Sequence, residues 1–310
     1  MGFVTHRIGR AATPRDYAMC DLRFLHTVFS QFAGCVPAFG KGPARFTAVL
    51  ILTLFSMGAN GVAAQSPVAA AEALIATLSN DEVRAAIKTF GDSDRKSIRF
   101  TPGRRGGLTL KAMDAETRGA AERFLKATLS AEGVEMVARI RQREEILGRM
   151  TGNPGYRDPD LYYLAIFGDP GKGPWGYRFE GHHLSINMTY RDDRLVSGVP
   201  VMLASNPEKT DASGAPPELL GPLVEDARVA ATDAEARQRV IDALTAHIPD
   251  ALRDAYRKDL SDRPAFRQFD ETWSGFDLLG GDTQLEIETN QTNHIHITLR
   301  DETWDFGGAK

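Results

Sequence analysis

The sequence predicts an α+β fold in which helices pack against a mostly antiparallel β-sheet. Three observations point there. Apolar residues recur at three- and four-residue steps from Ser66 to Leu147, the period of helices. From Leu161 the period drops to two over a β-rich stretch, as in strands. A second helical stretch, Glu218 to Leu260, is then closed by two further period-two runs at the C-terminus.

The elements follow in order. Ala69, Ala73, Leu74 and Leu78 mark a first helix. Ser79-Asn80-Asp81-Glu82 reads as a cap and opens a second helix, carrying Val83, Ile87 and Phe90. The segment 100–107 (FTPGRRGG) breaks the helical pattern, and a short strand follows at Leu108–Leu110. Asp114 caps a helix with Ala120, Phe124, Leu125 and Leu129 on one stripe. Another helix after Ser130 carries Val134, Val137, Ile140, Ile146 and Leu147, and a Gly/Pro/Asp-rich loop at 152–160 ends it. LYYLAIFG (161–168) reads as one strand and WGYRFEGHHLSINMTY (175–190) as a second, continuous one, with Val199–Leu203 adding another. The helical stretch 218–260 is interrupted near Thr232 and Pro249. Strands Gln284–Glu288 and Asn293–Arg300 complete the chain. No internal repeat or low-complexity tract is present.

The first 64 residues read as a leader. Phe46–Met57 is a short uncharged apolar run behind Lys41 and Arg45, and Val62-Ala63-Ala64 before Gln65 offers small residues to a signal peptidase. The run falls short of the ~20 residues a bilayer-spanning helix needs. The expectation is therefore an export signal cleaved after Ala64, with translation starting later than Met1, and a periplasmic or secreted single domain at 65–310 without an integral membrane span. Both cysteines, Cys20 and Cys35, fall in the leader, which leaves the domain no disulfide and no thiolate chemistry. With 31 basic against 39 acidic residues after Ala64, its net charge is −8, which argues against nucleic acid as the partner. A small molecule fits better.

The chemistry concentrates in histidine. Five follow Ala64, and four form two tight pairs, His182-His183 and His294-Ile295-His296. On a strand, residues two apart share a face with Cα atoms about 7 Å apart, so the rings of His294 and His296 can lean toward one metal. Thr298 and Arg300 share that face, while Ile295, Ile297 and Leu299 face the core. In the continuous-strand reading, His182 sides with Glu180, Leu184 and Ile186, and His183 with Ser185 and Asn187, a polar set suited to a site. The expected centre is thus His183, His294 and His296, with His182 in reserve, holding zinc or copper. Glu288 is a candidate ligand or general base, Arg300 a candidate catalytic group, and Asp301 a candidate for orienting a ligating ring. The competing reading is that these are ordinary surface histidines. His247, before Pro249, reads as structural. Arg104-Arg105-Gly106-Gly107 reads as a tight turn with solvated charges, an anion cradle being the alternative.

The strings 167–187 (FGDPGKGPWGYRFEGHHLSIN) and 287–308 (IETNQTNHIHITLRDETWDFGG), with Arg105–Leu108, resemble segments of the DUF3500 family. Gly181–Asn187 is similar to its Gly-His-His-Leu-x-Leu-Asn segment, with Ile186 in place of the second leucine. Asn293–Gly307 is similar to its C-terminal Asn-His-Ile-His…Asp-Phe-Gly segment, although the turn between Glu288 and Asn293 is shorter than the family's usual one. The resemblance implies a shared fold and transfers no reaction. Three functions stay open: a metal-dependent enzyme, a non-catalytic metal-binding protein, and a binder of small anionic or sugar ligands.

Overall fold

The computed structural model describes residues 65–308 apart from 100, 213–216, 231, 262–265, 269–273, 281–282, 291–292 and 302–303, and at 228 and within 259–290 it describes the backbone alone. The leader and its cleavage site lie outside the described residues. No described helix is long and apolar enough to cross a membrane.

The helical half forms as its caps dictate. α1 (Pro67–Ile75) starts at Ser66, whose hydroxyl accepts from the Ala69 N–H. α2 (Asn80–Ala86) starts with the reciprocal Ser79–Glu82 capping box. It runs into a two-residue strand, β1 (Ile87–Lys88), and a second short strand, β2 (Leu108–Thr109), precedes α3. α3 (Ala115–Thr128) is capped by Asp114, and α4 (Ala131–Met150) by Ser130. Each such cap contributes about 1 kcal/mol.

The second half supplies most of the sheet. β3 (Tyr163–Phe167), β4 (Pro174–Gly181), β5 (Leu184–Arg191), β6 (Arg194–Ser197) and β7 (Val201–Ser205) precede α5 (Gly221–Val229), α6 (Ala234–Leu244) and α7 (Asp250–Ser261). β8 (Phe266–Gln268), β9 (Ser274–Gly280), β10 (Thr283–Asn290) and β11 (His294–Asp301) follow. The eleven strands form one sheet in the order β1-β3-β4-β5-β7-β11-β10-β9-β8, with β2 on β3 and β6 on β5. Only β1–β3 pairs in parallel, so the α+β, mostly antiparallel expectation holds.

Three expectations fail. The second helix stops at Ala86, and Ile87, expected on it, pairs with Ile166 in β1–β3. The predicted single strand 175–190 is a hairpin: β4 and β5 pair from Pro174–Arg191 to Gly181–Leu184, with His182-His183 as its turn. The signal was in the sequence. Apolar residues occupy odd positions before the histidines (Trp175, Tyr177, Phe179) and even positions after them (Leu184, Ile186, Met188), a phase change that one strand cannot make. Strands β8 and β9 were not anticipated either. β9 is defined by its pairing to β10, and the three-residue β8 by its pairing to β9.

One core joins the layers. Phe124 of α3 meets the rings of Trp175 and Tyr177 at 6.5 and 4.8 Å, and Tyr190 stacks on Trp175 at 4.7 Å. Ile295, Ile297 and Leu299 bury the inner face of β11, and Leu244, Ile248 and Tyr256 bring the late helices onto the same core. His247 is fully buried as a strut: its Nε2–H donates to the Gly198 carbonyl at 2.7 Å. Gly133 in α4 fits against it, since a Cβ there would lie 2.9 Å from the His247 Cα.

Burial pushes the His247 pKa down to about 4. Below pH ~6.5 the unfolded chain takes up a proton that the folded chain refuses, so stability falls from there to pH ~4. The shift is worth about 3 kcal/mol. Urea titrations across this range are expected to show the wild type losing that much more stability than His247→Gln, which cannot titrate; equal losses contradict the assignment.

Candidate metal centre

The turn of the β4–β5 hairpin presents the first histidine pair. Its three carbonyls are each held. Arg105 Nη2 donates to Gly181 O at 3.0 Å, the Tyr162 hydroxyl to His182 O at 2.8 Å, and the Ala204 N–H to His183 O at 2.8 Å. Gly181 is required because a Cβ would come within 2.4 Å of the Tyr162 ring. His183 takes φ of 67°, a left-handed conformation that costs a non-glycine residue about 1 kcal/mol or more. The turn is over-determined, and that fixes where the rings go.

The second pair arrives on β11. Its burial alternates as expected, with His294, His296 and Thr298 half-buried on one face and Ile295, Ile297 and Leu299 buried on the other. Asn293, at φ of 70°, clamps the entrance: its Oδ1 accepts from the Lys209 N–H at 2.6 Å, and its carbonyl from the Glu208 N–H at 2.9 Å. β7 lies between β5 and β11, and Ala204 on it stands directly opposite His296 while bonding the carbonyl of His183. Strands two places apart are separated by about 9.5 Å. The rings close that gap above a residue with only a methyl group.

The convergence is tight. His294 Nε2 lies 3.0 Å from His183 Nε2 and 2.8 Å from His296 Nε2. Nitrogens sharing a tetrahedral zinc at 2.0–2.1 Å lie about 3.3 Å apart, close to these values. The rings are also inclined at 67°, 57° and 83° to one another, as lone pairs aimed at one point require. Together, His183, His294 and His296 form a group that can hold a metal ion.

His182 is placed differently. Its ring stacks on His183 with centroids 3.5 Å apart at 30°, so the two cannot aim lone pairs at a common ion. Its Nδ1 lies 2.6 Å from Glu144 Oε2, and Arg157 Nη1 lies 2.7 and 2.9 Å from its two nitrogens. Glu144, His182 and His183 are close enough to form a second possible ligand group, but the stacking and the Arg157 cation both oppose an ion there.

Electrostatics favour ligation at the first group. Burial, reinforced by the neighbouring imidazoles, holds His183 well below the ordinary histidine range and His294 at about 4. Burial also lowers His182, against the pull of Glu144. His183 and His294 are therefore neutral at pH 7 with lone pairs available, as metal binding needs.

The other candidates fall as follows. Glu288 stands opposite His296 in the β10–β11 register, and its side chain lies outside the described residues. Arg300 is four residues, about 13 Å, along β11 from His296, and its Nε and Nη2 donate to Asp305 at 2.9 and 2.8 Å. The structure does not bring it to the imidazoles. Asp301 lies on the opposite face, where it accepts from the Trp304 N–H. The carboxylate beside the rings is instead Glu144, with Oε2 3.7 Å from His183 Nδ1. It is buried on α4 next to Arg143, whose guanidinium donates to the carbonyls of Pro207 and Glu208. The available signal was a pair of charges at the third and fourth positions after Ile140, where the helix stripe calls for apolar residues. Arg105 also departs from expectation: its side chain is 2% exposed, ligated by carbonyls and 3.8 Å from Glu180, not solvated.

Filling the space over β7 is expected to remove the centre. Ala204→Leu should fold with a loss of about 1–3 kcal/mol. Zinc titrations should then show no binding, while Ala204→Gly binds as the wild type does; a leucine variant with unchanged affinity refutes the geometry.

Against known proteins, the chain matches one family over residues 60–260, that described as protein of unknown function (DUF3500). No curated protein and no solved structure gives a significant match. The matched span is about two thirds of the chain and includes the histidine hairpin, and the chain belongs to the DUF3500 family.

Proposed function

We propose that this is an exported, metal-dependent enzyme whose zinc or copper ion is held by His183, His294 and His296. The observation that carries the reading is the meeting of three Nε2 atoms from two separate hairpins at one spot. Three imidazole nitrogens meeting at that spacing cannot all pair with one another, because each offers either one proton or one lone pair, and a cation between them removes the conflict. Glu144, near His183 Nδ1, favours the tautomer whose Nε2 lone pair faces the centre. Bound there, the metal would act as a Lewis acid toward a substrate or water.

The catalytic form of this reading rests on ligand count and exposure. Three protein ligands leave a position open, the pattern of catalytic zinc sites. His183 is buried, but His294 and His296 are half-buried, so the open side faces outward. A small molecule is the proposed substrate, in keeping with the acidic surface. A non-catalytic metal carrier is the second reading, favoured by the cavity beside His182, whose lining includes none of the three imidazoles. The export-signal pattern of the first 64 residues supports a periplasmic or extracellular location in this reading, with 65–310 taken as one domain.

Metal analysis tests the centre: about one zinc or copper per chain is expected in the wild type and none in His294→Ala/His296→Ala. Undiminished metal in the double variant sinks the proposal. For the open position, cobalt-substituted protein is expected to change its visible spectrum when azide is added. A spectrum indifferent to azide selects the carrier.

A further inference from the structure

Across His182 and Glu144 from the three imidazoles lies a cavity of about 200 Å³, walled by loop 102–105, loop 155–158 and the start of β3. Its charges are almost all spent. Glu144 is held by His182 and Arg157. Asp158 pairs with Lys111 at 2.6 Å. Arg105 is consumed by the carbonyls of Arg99, Thr101, Gly103 and Gly181. Arg104 alone among the wall's charged groups is exposed and has no hydrogen bond or ion pair among the described residues. Three tyrosines supply its aromatic surface: Tyr162 and Tyr163 form the buried end and Tyr156, half exposed, the mouth.

We propose that this cavity binds a small organic monoanion, a carboxylate on a flat apolar body, with the carboxylate on Arg104 and the body against the tyrosines. The volume equals roughly seven waters of ~30 Å³, room for a molecule of about nine non-hydrogen atoms. The guanidinium fork matches a carboxylate. One unspent positive charge beside aromatic walls suits a monoanion with an apolar body better than a hydrated phosphate. The site extends the metal reading by naming a ligand class, and the binding itself needs no metal.

Benzoate is the probe, with benzamide as its neutral counterpart and inorganic phosphate as the competing anion, each titrated calorimetrically into the full domain. Benzoate is expected to bind the wild type about tenfold more tightly than Arg104→Gln, with Arg104→Lys between them. Benzamide should bind both proteins equally and weakly, and phosphate should not displace benzoate. Absence of benzoate binding, an unchanged affinity in Arg104→Gln, or displacement by phosphate each overturns the proposal. The titration is repeated after chelation and on His294→Ala/His296→Ala. Unchanged benzoate affinity is expected there. Loss of binding would put the carboxylate on the metal, which overturns this site and leaves the metal centre standing; wild-type protein that takes up no added zinc or copper yet binds benzoate upholds this site and sinks the metal centre.

Discussion

The arrangement depends on the pinned tip of one hairpin. Gly181, His182 and His183 each surrender their carbonyl to a different part of the chain: the loop before β2, the start of β3, and the end of β7. A two-residue turn at a free hairpin end would fray. Held from three sides, it keeps His183 in a left-handed conformation that the residue would not choose, and its ring points across β7. Backbone strain of this kind persists only where the surroundings impose it.

The surroundings are themselves polar and buried. Arg178 and Glu180 on β4 pair with Asn187 and Ser185 on β5, and the same face takes in Asp94, which Arg178 Nη2 reaches at 3.0 Å. Arg178 Nε lies 3.0 Å from Glu180, and burial raises the Glu180 pKa while Arg178 and Arg105 oppose the shift. Ionic groups this deep do little for net stability, because desolvation consumes much of what pairing gains. Removing any one of them leaves a buried charge uncompensated.

α4 links the two histidine segments. Arg143 fastens the loop that follows β7, the same loop that Asn293 clamps at the entrance to β11. Glu144, one residue on, fastens His182 and faces His183. One turn of one helix thus sets the position of both imidazole pairs, although neither residue touches His294 or His296 through a bond seen here. Rotating that turn would part them.

Sequence alone determined the helices, through their caps and their apolar stripes, and the alternation of β11, because both follow from contacts within a few residues. It also marked the four histidines as candidates, of which the fold brings three together and leaves His182 against Glu144. Tertiary structure decided the rest. The hairpin phase change was legible in Trp175–Met188 but masked by a run that looks strand-like throughout. Ala204, Glu144 and Arg157 carry no local mark of a site: an alanine in a strand and charges on a helix acquire their roles only when β7, α4 and the 152–160 loop are brought around the turn. Which of four imidazoles meet was likewise undecided by spacing, because strand order and register place β11 beside β7 and so bring His183 and His294 together across 111 residues. Local periodicity fixes the direction of a side chain within its own element. It says nothing about which other element lies in that direction.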